Sequence, residues 1–165
     1  MQIAVDFVQG TNGAYLEYIG NTFVVPTVDF HSPFDELNRS HNKQWAEDSV
    51  FACGHYYIVG LPATCTHVIW IDIDADDLNR LRAMKMAKFN SADDVHAHSG
   101  ILDRPAYVDD NYVFRFKWSK MFATNTFLSE LERMCKFLGV EFAPTGQLVG
   151  IHNEFLARHH FLLDK

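Results

Sequence analysis

The chain has 165 residues, of which 48% are hydrophobic, and its formal net charge at pH 7 is −7. Its length predicts one domain over residues 1–165 that buries about 70% of the surface exposed by the extended chain. The acidic balance argues against bulk nucleic-acid binding, which needs basic residues, and no stretch approaches the roughly 20 apolar residues that cross a bilayer. Three cysteines without metal-site spacing predict reduced thiols and a cytoplasmic location.

The first predicted unit is a strand, a glycine-containing turn and a helix. Residues 2–8 are mostly apolar and predict a buried strand, which ends at the turn 10–13. Leu16, Ile19 and Phe23 then recur at helical spacing. The first N–H groups of such a helix lack partners and lie at the positive end of its dipole, so they suit a phosphate or sulfate. The same pattern is also an ordinary connection in α/β proteins, and both interpretations stay open.

The middle of the chain contains two further strands and a helix. Strands are predicted over 51–58 and 67–73, the second of them rich in β-branched residues. Asp74, with Asp77 three residues later, predicts the N-cap of a helix that continues to about Phe89. A polar segment rich in aspartate follows and predicts a long loop.

The last third contains a strand and two helices. Aromatic residues at every second position of 112–118 predict a half-buried strand, with base stacking as the alternative role of its rings. One helix ends at Gly139, and the apolar face of the next includes Leu148 and Phe155. Strands alternating with helices predict an α/β fold of three layers, a mostly parallel sheet flanked by helices, with ligands at the carboxyl ends of the strands.

Three groups of polar residues are candidates for chemistry. His55, within the second predicted strand, could serve as a general base, and a hydrogen-bonded core histidine is the alternative. A group of aspartates could bind Mg²⁺, although helix capping and the helix dipole explain it more simply; its members are Asp72, Asp74, Asp76 and Asp77. The remaining paired histidines have no cysteine or carboxylate partners at metal-site spacing, which predicts solvated side chains and no metal site; they are His96, His98, His159 and His160.

Several segments resemble the sulfotransferases, which take a sulfuryl group from 3′-phosphoadenosine-5′-phosphosulfate. The opening strand and turn resemble the degenerate P-loop of that family, and the segment 53–56 resembles the place where some members carry a histidine. Segments 67–78, 127–140 and 148–156 are similar to the strand and helices that follow in short bacterial and phage-type members.

The resemblance implies a P-loop type of fold and a donor site in the first turn. The residues it assigns to the donor, a small anionic nucleotide, are Gly10, Thr11, Asn12, Gly13, Ala14 and Tyr15. It implies that His55 is the catalytic base and that a hydroxyl compound is the acceptor. Nucleic acid and membrane are not expected partners, and the sequence makes no prediction of oligomeric state.

Two departures from the family keep a second function open. The first turn offers Gln9, Thr11 and Asn12 where members usually carry a lysine or arginine that neutralises the moving group. The Arg…Ser pair with which family members commonly hold the 3′-phosphate is also absent in its usual form, since aspartates follow the third strand and basic residues begin only at Arg80. The alternative is therefore a catalytically inactive relic of the fold that acts as a binding protein. A kinase is a weaker alternative, because the chain has no Gly-Lys-Ser/Thr motif.

Overall fold

The computed structural model describes residues 1–7, 11–26, 50–55, 60–89 and 110–160. Within these ranges four strands form one parallel sheet in the order β2-β1-β3-β4. The strands are β1 (Ile3–Asp6), β2 (Phe51–Gly54), β3 (His67–Asp72) and β4 (Val113–Lys117). The predicted α/β class with a parallel sheet and flanking helices is confirmed, and each strand falls inside its predicted segment.

Four α-helices accompany these strands in the described ranges: α1 (Gly13–Ile19), α2 (Leu78–Phe89), α3 (Thr124–Leu138) and α4 (Gly146–Arg158). α1 continues without interruption into a π-helical turn, Gly20–Val24. α3 ends where the sequence predicts, since Gly139 adopts the left-handed conformation (φ 69°) and its N–H bonds back to the last turn. No helix in the described part of the chain is long and apolar enough to cross a membrane.

One face of the sheet, here called the α1 face, carries large apolar side chains. The ring of Phe51 lies directly against Gly20, at the end of α1. Phe116 of β4 contacts Phe127 of α3, with 6.2 Å between ring centroids. Phe114 and Phe116 are buried, so the packed-strand interpretation of the aromatic alternation is confirmed for these two residues. Trp118 is also buried but begins the 3₁₀ helix that follows the strand, and Tyr112 is 55% exposed. α1 and α3 therefore pack on the same side of the sheet.

The opposite face, here called the α2 face, is more polar at its carboxyl end. Its side chains come from the alternate strand positions, which the register places side by side; they include Asp6, Trp70, Asp72, Arg115 and Lys117. The chain crosses from β1 to β2 in one direction and from β3 to β4 in the other. Right-handed crossovers in opposite directions put their helices on opposite faces, so α2 covers this second face and the fold has three layers.

Gly20 is required by the close approach of α1 to β2. A Cβ atom there would lie 2.5 Å from Cγ of Phe51. The next residue, Asn21, is fully buried and bonds to β2 with both ends of its amide, accepting from Phe51 N (2.9 Å) and donating to Phe51 O (2.8 Å). The helix can therefore move away from the strand only by breaking these bonds.

We expect Gly20→Ala to lower the free energy of unfolding by about 1–3 kcal/mol, because overpacking outweighs the helix propensity gained. Gly150→Ala is the matched control: it lies inside α4, and an added Cβ would have no atom within 4 Å. That change should raise the free energy of unfolding by about 0.5–1 kcal/mol. Urea denaturation of both variants measures the difference, and equal effects at the two positions would contradict the packing argument.

Candidate functional site

The strand order points to one end of the sheet as the candidate site. The direction of chain crossing reverses between β1 and β3. In doubly wound sheets ligands bind outside the carboxyl ends of the strands at such a reversal. Here that edge contains the turn between β1 and α1, the last residues of β3 and β4, and His55 directly after β2.

The turn between β1 and α1 is packed into the protein. Thr11, Asn12, Gly13 and Tyr15 are buried and Ala14 is half-buried, while Gly10 lies outside the described residues. The ring of Phe7 covers Gly13 so closely that a Cβ on this glycine would lie 2.2 Å from Phe7 Cδ1. The glycine at position 13 is therefore explained by packing alone.

Asn12 holds the turn at the start of α1. It adopts the left-handed conformation (φ 63°), and its carbonyl accepts the N–H groups of Tyr15 (3.0 Å) and Leu16 (3.2 Å). Its side-chain oxygen accepts a hydrogen bond from Trp118 Nε1 (3.2 Å), and its side-chain nitrogen lies 3.5 Å from His159 Nε2. The turn is thus tied to the residue after β4 and to the end of α4.

His55 lies at the carboxyl end of β2, beside the end of β1. Its Nδ1 is 2.8 Å from the carbonyl oxygen of Phe7, and its ring lies 4.6 Å from the Phe7 ring, measured between centroids. A carbonyl only accepts, so Nδ1 carries the proton and the lone pair of the neutral imidazole is on Nε2. The side chain is half-buried. Phe7 therefore lies between His55 and Gly13 of the first turn.

Cations from β4 meet a buried carboxylate at the same edge. Asp72, the last residue of β3, is 4% exposed, and its Oδ2 lies 2.7 Å from Lys117 Nζ and 3.9 Å from Arg115 Nη1. The two cationic side chains remain about 43–44% exposed. These three side chains together carry a net charge of +1.

The other aspartates cap the segment leading into α2. Asp74 Oδ1 accepts the N–H groups of Asp76 (3.1 Å) and Asp77 (3.2 Å), and Asp77 Oδ2 accepts from Asp74 N (3.4 Å). Arg80 Nη1 then donates to Asp77 Oδ1 at 3.2 Å. Burial, followed by the charge of Asp74, raises the pKa of Asp77. The capping interpretation is confirmed for Asp74 and Asp77, whose side-chain oxygens are used in the cap, while Asp76 contributes its backbone N–H group.

Two histidines belong to the core, His152 of α4 and His159 directly after that helix, and the sequence analysis missed both. His159 is 6% exposed, so the prediction of a solvated side chain is wrong for it, while the adjacent His160 is exposed. His152 is fully buried and lies parallel to the Phe127 ring at 3.9 Å. The spacing of Leu148, His152, Phe155 and His159 is that of one helical face, and this was the available signal.

His152 and Tyr15 form a buried polar pair between α4 and α1. The Tyr15 hydroxyl lies 3.0 Å from His152 Nδ1, whereas His152 Nε2 has no hydrogen-bond partner within the described ranges. Burial lowers the pKa of His152 to about 4 and, with a smaller contribution from Tyr18, raises the pKa of Tyr15. Both groups are therefore neutral at pH 7.

The described residues contain no group of three or more histidines, cysteines or carboxylates that could hold a metal ion. His96 and His98 lie outside those residues.

Fold and site together define an α/β protein of the doubly wound type, with a polar edge where ligands bind in such sheets. Comparison of the chain with protein-family models, with curated proteins and with solved structures finds no match.

Proposed function

We propose that this chain binds 3′-phosphoadenosine-5′-phosphosulfate at the carboxyl end of its sheet and transfers the sulfuryl group to a hydroxyl acceptor. The observation that carries the proposal is the position of His55, which is half-buried at this edge and oriented through Nδ1 by the Phe7 carbonyl. A general base needs this arrangement, because its second nitrogen then presents a lone pair. The resemblance of the first turn to a degenerate P-loop supplies the identity of the donor.

The bond between the donor's sulfur and its bridging phosphate oxygen breaks, a new bond forms to the acceptor oxygen, and 3′-phosphoadenosine-5′-phosphate leaves. His55 Nε2 takes the acceptor's proton as that bond forms. Nδ1 stays bonded to the Phe7 carbonyl, and this bond favours the imidazolium because a charged donor makes a stronger hydrogen bond.

Positive charge at the site comes from β4 instead of the first turn. Lys117 and Arg115 both pair with the carboxylate of Asp72 and remain partly exposed, and Lys117 directly precedes Trp118, the residue that contacts the turn. Charge on the moving group must be offset for transfer to proceed. These side chains compensate for the missing lysine or arginine of the turn.

We expect Lys117→Gln to weaken the binding of 3′-phosphoadenosine-5′-phosphate about tenfold, the order expected for one hydrogen bond to a charged group. Lys117→Arg should keep most of the affinity. Lys136→Gln is the control, since it makes the same charge change on an exposed residue in the last turn of α3. Circular dichroism checks that each variant is folded. Equal affinities of the two glutamine variants for the nucleotide would show that Lys117 does not contribute to the site.

Calorimetric titration of the parent chain with 3′-phosphoadenosine-5′-phosphate, with ATP as the control nucleotide, tests the proposal directly. We expect saturable binding of the first nucleotide and much weaker binding of ATP, which lacks the 3′-phosphate. Absence of binding at millimolar concentration would refute the proposal.

The second candidate is a non-catalytic relic of the fold that acts as a binding protein. The observation in its favour is the burial of the first turn, where Phe7 covers Gly13 and the side chain of Asn12 is used for internal hydrogen bonds. In that case the turn is retained for packing, and neither nucleotide binds.

A further inference from the structure

Hydrogen bonds between three buried side chains connect the residue after β4, the first turn and the end of α4. Trp118 is fully buried, Asn12 is 4% exposed and His159 is 6% exposed. The residues are far apart in sequence, and each comes from a different part of the fold. Their hydrogen bonds therefore depend on the assembled tertiary structure.

For a neutral His159 ring, the neighbouring groups assign the hydrogen-bond donors and acceptors among these three side chains. His159 Nδ1 lies 2.8 Å from the carbonyl oxygen of Phe155, which only accepts, so Nδ1 carries the proton and Nε2 accepts. The Asn12 amide must then present its NH₂ group to His159. Its oxygen faces the indole N–H of Trp118, which only donates. Only one orientation of the Asn12 amide satisfies both neighbours.

We propose that Asn12 is a positioning residue for donor binding and that His159, at the end of α4, sets its position. The inference rests on the proposed function. The backbone of Asn12 is left-handed, and its carbonyl accepts the N–H groups of Tyr15 and Leu16 in the first turn of α1, so rotation of this residue would redirect the whole turn. The end of α4 then helps to position the donor site through His159, although α4 contributes no residue to the first turn.

Two substitutions of His159 separate positioning from packing. His159→Phe keeps an aromatic ring against Phe155, which lies 4.3 Å away between ring centroids, but removes the acceptor for Asn12. His159→Gln loses the ring but keeps an oxygen that can accept from the Asn12 amide. We expect His159→Phe to weaken binding of 3′-phosphoadenosine-5′-phosphate about 3- to 10-fold, the range for one hydrogen bond. His159→Gln should stay within about twofold of the parent.

Affinity is measured by calorimetry under conditions in which each variant is fully folded, so that lost stability does not count as lost affinity. The indole ¹H–¹⁵N resonance of Trp118, assigned with a Trp118→Phe variant, provides the second readout. It should shift in His159→Phe, where the Asn12 amide is released, and stay near its parent position in His159→Gln.

The outcomes distinguish this inference from the proposed function. If the parent does not bind the nucleotide, the proposed function fails and the inference fails with it. If the parent binds and both variants bind equally well, only the inference fails. A larger loss of affinity in His159→Gln than in His159→Phe would also overturn it, because that order indicates ring packing.

Discussion

His55→Ala is expected to slow sulfuryl transfer by about 10²- to 10⁴-fold while the protein stays folded and binds the donor product normally. The imidazole accepts the acceptor's proton in the transition state, and alanine offers no lone pair there. The loss should appear in turnover, because the proposed contact of His55 is with the acceptor hydroxyl. Release of 3′-phosphoadenosine-5′-phosphate from the donor, followed across a panel of phenols and sugars, measures it.

His67→Ala is the matched control for this experiment. His67 is also a half-buried histidine with a hydrogen bond at Nδ1, here to Thr66 Oγ1 (3.1 Å), but it begins β3 and so lies at the opposite end of the sheet. Its replacement should leave turnover close to that of the parent. If His55→Ala instead keeps full turnover and only lowers the free energy of unfolding by about 1–3 kcal/mol, His55 is a structural histidine.

Acidification from pH 7 to pH 4 is expected to remove about 3 kcal/mol from the free energy of unfolding through His152 alone. Burial lowers the pKa of this histidine to about 4 in the folded protein, whereas the unfolded chain has the ordinary value of about 6.5. Between these two values the unfolded state binds a proton that the native state does not. Stability is therefore complete above about pH 6.5 and is lost as the pH falls towards 4.

Two variants isolate the cause of this pH dependence. His152→Phe keeps the ring stacked on Phe127 and removes the titrating group, so its loss of stability between pH 7 and pH 4 should be smaller by about 3 kcal/mol. Tyr15→Phe removes the hydrogen bond to Nδ1 but leaves His152 buried, and it should keep the pH dependence of the parent. Urea titrations at several pH values give the change in the free energy of unfolding with pH for each variant. A parent-like slope in His152→Phe would place the acid sensitivity elsewhere.

Periodicity in the sequence was sufficient to predict the fold class and most of the strands and helices. Buried strands such as 67–73 read as continuous apolar runs because both faces of a parallel sheet are covered. The capping box of Asp74 and Asp77 and the end of α3 at Gly139 could also be predicted, since each depends on a side chain or backbone preference within a few residues. These features are local, and local chemistry decides them.

The candidate site shows the limit of such reasoning. His55 could be singled out as a candidate from its sequence context, but its bond to the Phe7 carbonyl depends on β1 and β2 being neighbours in the sheet. No local sequence pattern predicts that Lys117 pairs with Asp72, because their contact depends on β3 and β4 lying side by side in register.

The sequence by itself determined the strands and helices, several of their caps, and the identity of the polar residues near the strand ends. Only the tertiary structure decided which of those residues meet. Asn12 and His159 are 147 positions apart, and Tyr15 and His152 are 137 positions apart. The physical reason is that burial and hydrogen bonding between distant segments depend on the packing of α1 against α4, and no periodicity within either segment encodes that contact.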